Sequence, residues 1–337
     1  MRAIDPNDRI VFIQTRNSMQ ATDLQAVSRG GYSMGGILIL VVVYLHIASG
    51  FGYFDRQLIR FPVEVFGFFM SWFYFKSGCY YHAKGGLIET IAKEYKRLLV
   101  PYLLFVSLGL LVYNGLELFQ PSIIKRVISQ ILDFGSVSEQ APLWFLLDFF
   151  IVKIVAAYLL HLSKKEIIII CSFLIACILQ YVSFLPSLIT RIPLGVFLYS
   201  LGYALKDVQY SKYVFLIGFV VYIVFESTTN CIFDYRVNKS SHYFVILLFC
   251  ISGILSWNNI VVRVKYLRDN LVLQYIGKNA IIIYVLHWFY VKTMGMDFGI
   301  PLSCLTRVII TFILMTTTLP IFIYLLNRRQ MKWIIGK

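Results

Sequence analysis

The sequence predicts an all-α protein that crosses a membrane many times, with about ten transmembrane helices and both termini in the cytoplasm. Three observations predict it. The 337 residues are 59% hydrophobic, and only 14% are Asp, Glu, Lys or Arg, whereas a soluble domain carries about 25% charged residues to face water. The shortage of charge recurs along the whole chain as apolar runs separated by short polar stretches, the pattern of helices that need about 20 apolar residues each to span hydrocarbon. Runs such as 37–45, 98–113 and 309–326 are apolar throughout. They lack the amphipathic face of a soluble core helix and the alternation of a membrane barrel strand.

Ten spans fit the apolar runs: 32–51, 61–81, 98–113, 142–160, 167–184, 192–205, 213–225, 243–256, 271–291 and 305–326. With the N-terminus inside, Lys and Arg in the cytoplasmic segments outnumber those on the other side about two to one, the bias that sets membrane orientation. The chain then divides into a cytoplasmic leader at 1–30, a transmembrane domain at 31–326 and a basic cytoplasmic tail at 327–337. The loop 114–141 is expected to carry an interfacial helix at 122–132, and the loop 226–242 is polar. The formal charge of +14 points to anionic lipid and membrane orientation rather than to nucleic acid. The six cysteines form no C-x-x-C pair, and nothing has close metal-ligand spacing. No phosphate-loop, dinucleotide or zinc-protease motif occurs.

Ionisable residues inside membrane spans are costly and mark functional or internally paired positions. His46 lies about 21 Å along the first span and His287 about 24 Å along the ninth, counting 1.5 Å per residue. Glu64 begins the second span from the opposite side. These three could share one layer, where a histidine exchanges protons near neutral pH and a carboxylate or second histidine orients it. Trp288, Phe289 and Tyr290 beside His287 also read as a membrane-interface belt. A second polar set lies toward the cytoplasm: Arg29, Lys76, Lys93, Lys96 and Arg97, fixed cations suited to a phosphate-rich ligand. Asp148 and Lys153 are five apart, too far round one helix to pair, so each needs a partner from another helix.

Six segments in order carry a resemblance. They are I-L-I-L-V-V-V-Y-L-H (37–46), F-F-M-S-W-F-Y-F-K-S-G-C-Y-Y (68–81), K-R-L-L-V-P-Y (96–102), A-P-L-W-F-L (141–146), R-I-P-L-G-V-F-L-Y-S-L-G-Y (191–203) and Y-I-G-K-N-A-I-I-I-Y-V-L-H (275–287). Over about residues 30–326 the chain resembles the membrane-bound acyltransferase-3 family, which includes O-acetyltransferases of bacterial surface polysaccharides. The resemblance implies a multi-pass protein of the bacterial inner membrane. It would transfer an acyl group, above all acetyl, from acyl-CoA to a sugar hydroxyl of a surface polysaccharide or exopolysaccharide. His46, Glu64 and His287 would be catalytic, with Lys76, Lys93, Lys96, Arg97 and Arg29 on acetyl-CoA. The implied partners are the bilayer, a glycan or lipid-linked saccharide acceptor, and polysaccharide synthesis machinery. The alternative is a polysaccharide exporter or a non-catalytic partner of a glycan synthase. Two positions depart from the family pattern: Gly35 stands where a basic residue is usual, and Glu94 stands where the first of two arginines is usual.

Overall fold

The computed structural model describes residues 6–52, 61–62, 64–82, 86–228, 243–296 and 302–336, with 6–24 and 226–228 as helical backbone only. The fold is all-α among the described residues. Helix α1 (Pro6–Gly50) runs unbroken from the leader through the first apolar run. After α2 (Phe69–Cys79) come α3 (Leu87–Glu94), a π-helical turn (Tyr95–Leu99) and α4 (Val100–Asn114), which join end to end. Pro101 has no N–H to return to the preceding turn, and it stands directly after the π turn, where the regular α-helical ladder is already interrupted. Helix α5 (Pro121–Phe134) covers the expected interfacial segment and exposes Ile124, Ile128 and Leu132, a stripe at intervals of four.

The span count of ten is corrected by the structure. Six helices among the described residues are long and apolar enough to cross: Gln25–Gly50, Leu87–Phe119, Pro121–Leu162, Ser187–Leu205, Tyr243–Arg263 and Cys304–Leu326. A seventh is counted if the pair Leu271–Lys278 and Ala280–Gly295, bent by 79°, is one span. Three expected spans fall short. The run 61–81 yields only α2, after a turn at 66–68. The run 167–184 yields α7 (Lys165–Leu179), which stops at a turn before Pro186; its 15 residues cover about 22 Å of a hydrocarbon layer about 30 Å thick. The run 213–225 falls in α9 (Lys212–Thr228), whose apolar part ends at Phe225. An apolar run shows that a segment avoids water, not that one helix continues through it. The placement of both termini in the cytoplasm came from counting Lys and Arg in the loops between ten spans, and six or seven spans divide those loops differently. Arg56, Arg60, Lys84, Arg236 and Lys239, used in the charge count, lie outside the described residues, as does most of the loop 226–242.

The remaining helices are α6 (Trp144–Leu162), α8 (Ser187–Leu205), α10 (Tyr243–Arg263), α11 (Lys265–Arg268), α12 (Leu271–Lys278), α13 (Ala280–Gly295) and α14 (Cys304–Leu326). Buried charges pair between helices, as the spacing of Asp148 and Lys153 requires. Asp148 of α6 lies 3.6 Å from Arg191 of α8 and accepts a hydrogen bond from Tyr74 of α2. Lys153 of α6 meets Glu94 of α3 at 2.8 Å. All four charged side chains are buried. Arg191 also donates to the Phe134 carbonyl at 3.0 Å and lies over the Trp144 ring.

Helices α1 and α12 cross backbone to backbone. A Cβ at Gly277 would overlap the Tyr32 carbonyl, and one at Gly36 would overlap the Leu273 carbonyl; small residues at such crossings let membrane helices approach. At the bend that follows, Asn279 donates to the Tyr275 carbonyl at 2.9 Å and accepts from Asn327 at 2.8 Å. These contacts set the angle of α13 against α1. Gly277→Val is expected to cost about 3 kcal/mol through overpacking, seen as a lowered unfolding midpoint in detergent. A midpoint equal to wild type would contradict the close crossing.

Candidate functional site: a buried imidazole pair

Helices α1 and α13 place His46 against His287. The ring nitrogens His46 Nδ1 and His287 Nε2 are 3.0 Å apart, and the ring centroids are 5.0 Å apart. His287 is fully buried, whereas His46 is half-buried. The Tyr284 carbonyl, one turn earlier in α13, lies 2.6 Å from His287 Nδ1. The Tyr284 hydroxyl donates to the Pro142 carbonyl, which anchors this turn to the segment Ser138–Leu143.

The network assigns the protons. A carbonyl can only accept, so His287 Nδ1 carries hydrogen. In neutral imidazole one nitrogen donates and the other accepts. His287 Nε2 is then the acceptor, and His46 Nδ1 must be the donor. That leaves the lone pair on His46 Nε2, the nitrogen directed away from the pair. His287 is thus the enclosed ring of the pair, and the partly exposed His46 carries the free lone pair.

Glu64 is half-buried, and its backbone carbonyl accepts from Gly67 N at 3.3 Å. Its carboxylate is not among the partners of either ring. The aromatic run after His287 faces other helices. Trp288 meets His46 edge-on with centroids 5.5 Å apart, Phe289 stacks on Tyr113, and Tyr290 shares a 2.6 Å hydrogen bond with Thr318. Trp288, which the sequence reads as part of an interface belt, packs against His46. The signal available was its place directly after His287.

The five candidate cations stand in three separate settings. Lys76 is 5% exposed; its Nζ donates to the Tyr210 hydroxyl at 3.0 Å and lies 5.0 Å above the Tyr80 ring. It approaches α1 at Gly31, about 22 Å along that helix from His46. Arg29 pairs with Asp269 at 3.2 Å, and the neighbouring Arg268 holds the Asp269 carboxyl below its usual range by hydrogen bonding. Lys93, Lys96 and Arg97 are exposed around the π turn, a helix defect frequent at functional sites. A short helical turn, Lys332–Ile335, packs beneath them and buries Ile335. Glu94, the departure beside these residues, is the partner of Lys153. At Gly35, the other departure, an added Cβ would meet the Trp72 indole at 3.6 Å. That indole donates to Asn258 at 2.7 Å.

Two imidazoles in contact inside a bundle of apolar helices place groups able to exchange a proton within a membrane protein. The chain belongs to the acyltransferase-3 family, whose acyltransferase domain it matches over residues 35–327. The match begins at Gly35 and takes in both histidines and the π turn. No curated protein and no solved structure matches the chain.

Proposed function

We propose that this protein transfers an acetyl group from acetyl-CoA to a sugar hydroxyl of a bacterial surface polysaccharide or exopolysaccharide. The observation that carries the reading is the 3.0 Å contact between His46 and the sealed His287, which leaves His46 Nε2 as the base. Family membership supplies the reaction class, acyl transfer. The sugar hydroxyl gives its proton to His46 Nε2 as its oxygen attacks the thioester carbon. The tetrahedral intermediate collapses with cleavage of the C–S bond, and the proton passes from His46 to the departing CoA thiolate. The imidazolium formed midway is stabilised because the proton on Nδ1 is already shared with His287, the service a carboxylate performs in a hydrolase triad.

The donor's phosphates are assigned to the cations Lys76, Lys93, Lys96, Arg97 and Arg29. A coenzyme arm of roughly 14 bonds spans about 17 Å when extended, at about 1.2 Å per bond. That is about 5 Å less than the distance along α1 from Gly31, beside Lys76, to His46, a difference made up by one contact of about 3 Å at each end of the arm. The acceptor hydroxyl belongs to a growing or lipid-linked saccharide in the bilayer of the inner membrane.

The product distinguishes this reading. Proteoliposomes given acetyl-CoA and an acceptor glycan should form an alkali-labile sugar ester, with one free CoA thiol for each ester. Thiol release without ester, or no reaction at all, would overturn it.

A further inference from the structure

We propose that the indole N–H of Trp288 is the hydrogen-bond donor that stabilises the oxyanion of the acyl-transfer intermediate, a role that rests on the acyltransferase reading above. Two independent observations meet at this residue. The first is position: its ring lies edge-on to His46, with centroids 5.5 Å apart and planes at 79°. The second is an unmet bond: Trp288 Nε1 is buried and has no hydrogen-bond partner among the described residues. Indole nitrogen is a donor only, and a buried Trp N–H usually finds an acceptor. A donor left sealed in an apolar setting is destabilising, and such a group in a native fold calls for an explanation. An acceptor that exists only while substrate reacts supplies one.

The chemistry fits the place. When the sugar oxygen adds to the thioester carbon and its proton moves to His46 Nε2, the carbonyl electron pair moves onto oxygen. That oxygen is bonded to a carbon lodged against His46, beside the Trp288 ring. A fixed donor in a site without water is worth most at this moment, because it is already oriented when the charge develops. When the carbonyl re-forms and the C–S bond breaks, the charge leaves the oxygen for the thiolate, and the hydrogen bond weakens with it. His287 and Trp288 are consecutive in α13, so one helical turn would orient the base and meet the charge that the base helps to create.

The test is Trp288→Phe in proteoliposomes with acetyl-CoA and acceptor, with 3-benzothienylalanine at position 288 as a second variant that keeps the indole's shape and lacks the N–H. Both should lower kcat by about 10²–10³-fold, leave KM for both substrates within about two-fold, and leave the pH profile where His46 sets it. Trp257, whose Nε1 is also buried without a hydrogen-bond partner among the described residues but whose ring faces Phe66, serves as a control, with Trp257→Phe keeping wild-type kcat. Wild-type kcat in the benzothienyl variant overturns the donor role alone, as does a loss confined to KM. A wild-type protein that transfers no acyl group overturns both this role and the underlying activity.

Discussion

His46→Ala is expected to reduce acyl transfer by about 10³–10⁴-fold in kcat, the upper part of the range for a general acid–base residue. The protein should still fold, because His46 is half-buried and its ring contacts are to His287 and Trp288. KM for acetyl-CoA should stay near wild type, since the donor's phosphates are assigned about 22 Å away along α1. His287 separates orientation from chemistry. His287→Ala removes the acceptor that holds hydrogen on His46 Nδ1 and lets the ring adopt the wrong tautomer, a fault worth about 10⁴-fold in a serine protease triad. His287→Gln offers an amide oxygen in the same direction and should recover part of the loss. Equal activity in His46→Ala and wild type would remove His46 from the mechanism, and equal activity in His287→Ala would remove its orienting role.

The second large effect is on stability. Arg191→Met leaves Asp148 buried among α2, α6 and α8 with Tyr74 as its remaining hydrogen-bond donor. Breaking one side of a buried ion pair costs about 3–5 kcal/mol, because the remaining charge has lost its compensation. The variant also loses the bond from Arg191 to the Phe134 carbonyl at 3.0 Å, which ties α5 to the bundle. Arg191→Met should therefore show a much lower unfolding midpoint in detergent and poor recovery of folded protein. Adding Asp148→Leu should restore much of the loss, since an apolar pair of similar volume is often neutral or stabilising. A single variant as stable as wild type, or a double variant less stable than the single, would contradict this account.

The two cases differ in how far the sequence reveals them. Counting 1.5 Å per residue put His46 and His287 in one layer and the two rings do meet, although the count for His287 runs through the 79° bend between α12 and α13. It said nothing of which ring would be sealed, which depends on the crossing of α1 with the bent pair α12–α13. Arg191 stands at the edge of the apolar run 192–205, so hydropathy alone puts it outside the bilayer. In the fold it is 3% exposed, with its charge met by Asp148 from a distant stretch of chain. Hydropathy adds up residues and cannot see a partner that neutralises one of them. The same blindness produced the excess spans: 61–81 is apolar enough to cross, yet a turn at 66–68 leaves only Phe69–Cys79 as continuous helix after it. Trp288 was hidden for a different reason. Aromatic residues near a helix end suit a membrane interface, and only the packing distinguishes an indole facing a headgroup from one facing the His46 imidazole.

The most direct measurement is a single turnover with acetyl-CoA labelled in the acetyl group. Wild-type and His46→Ala proteoliposomes would be mixed with an acceptor glycan, and the label followed from thioester to sugar. The account predicts that label passes to the glycan in wild type and stays on CoA in the folded His46→Ala protein. Label that passes equally in both, or never leaves CoA in wild type, would contradict it.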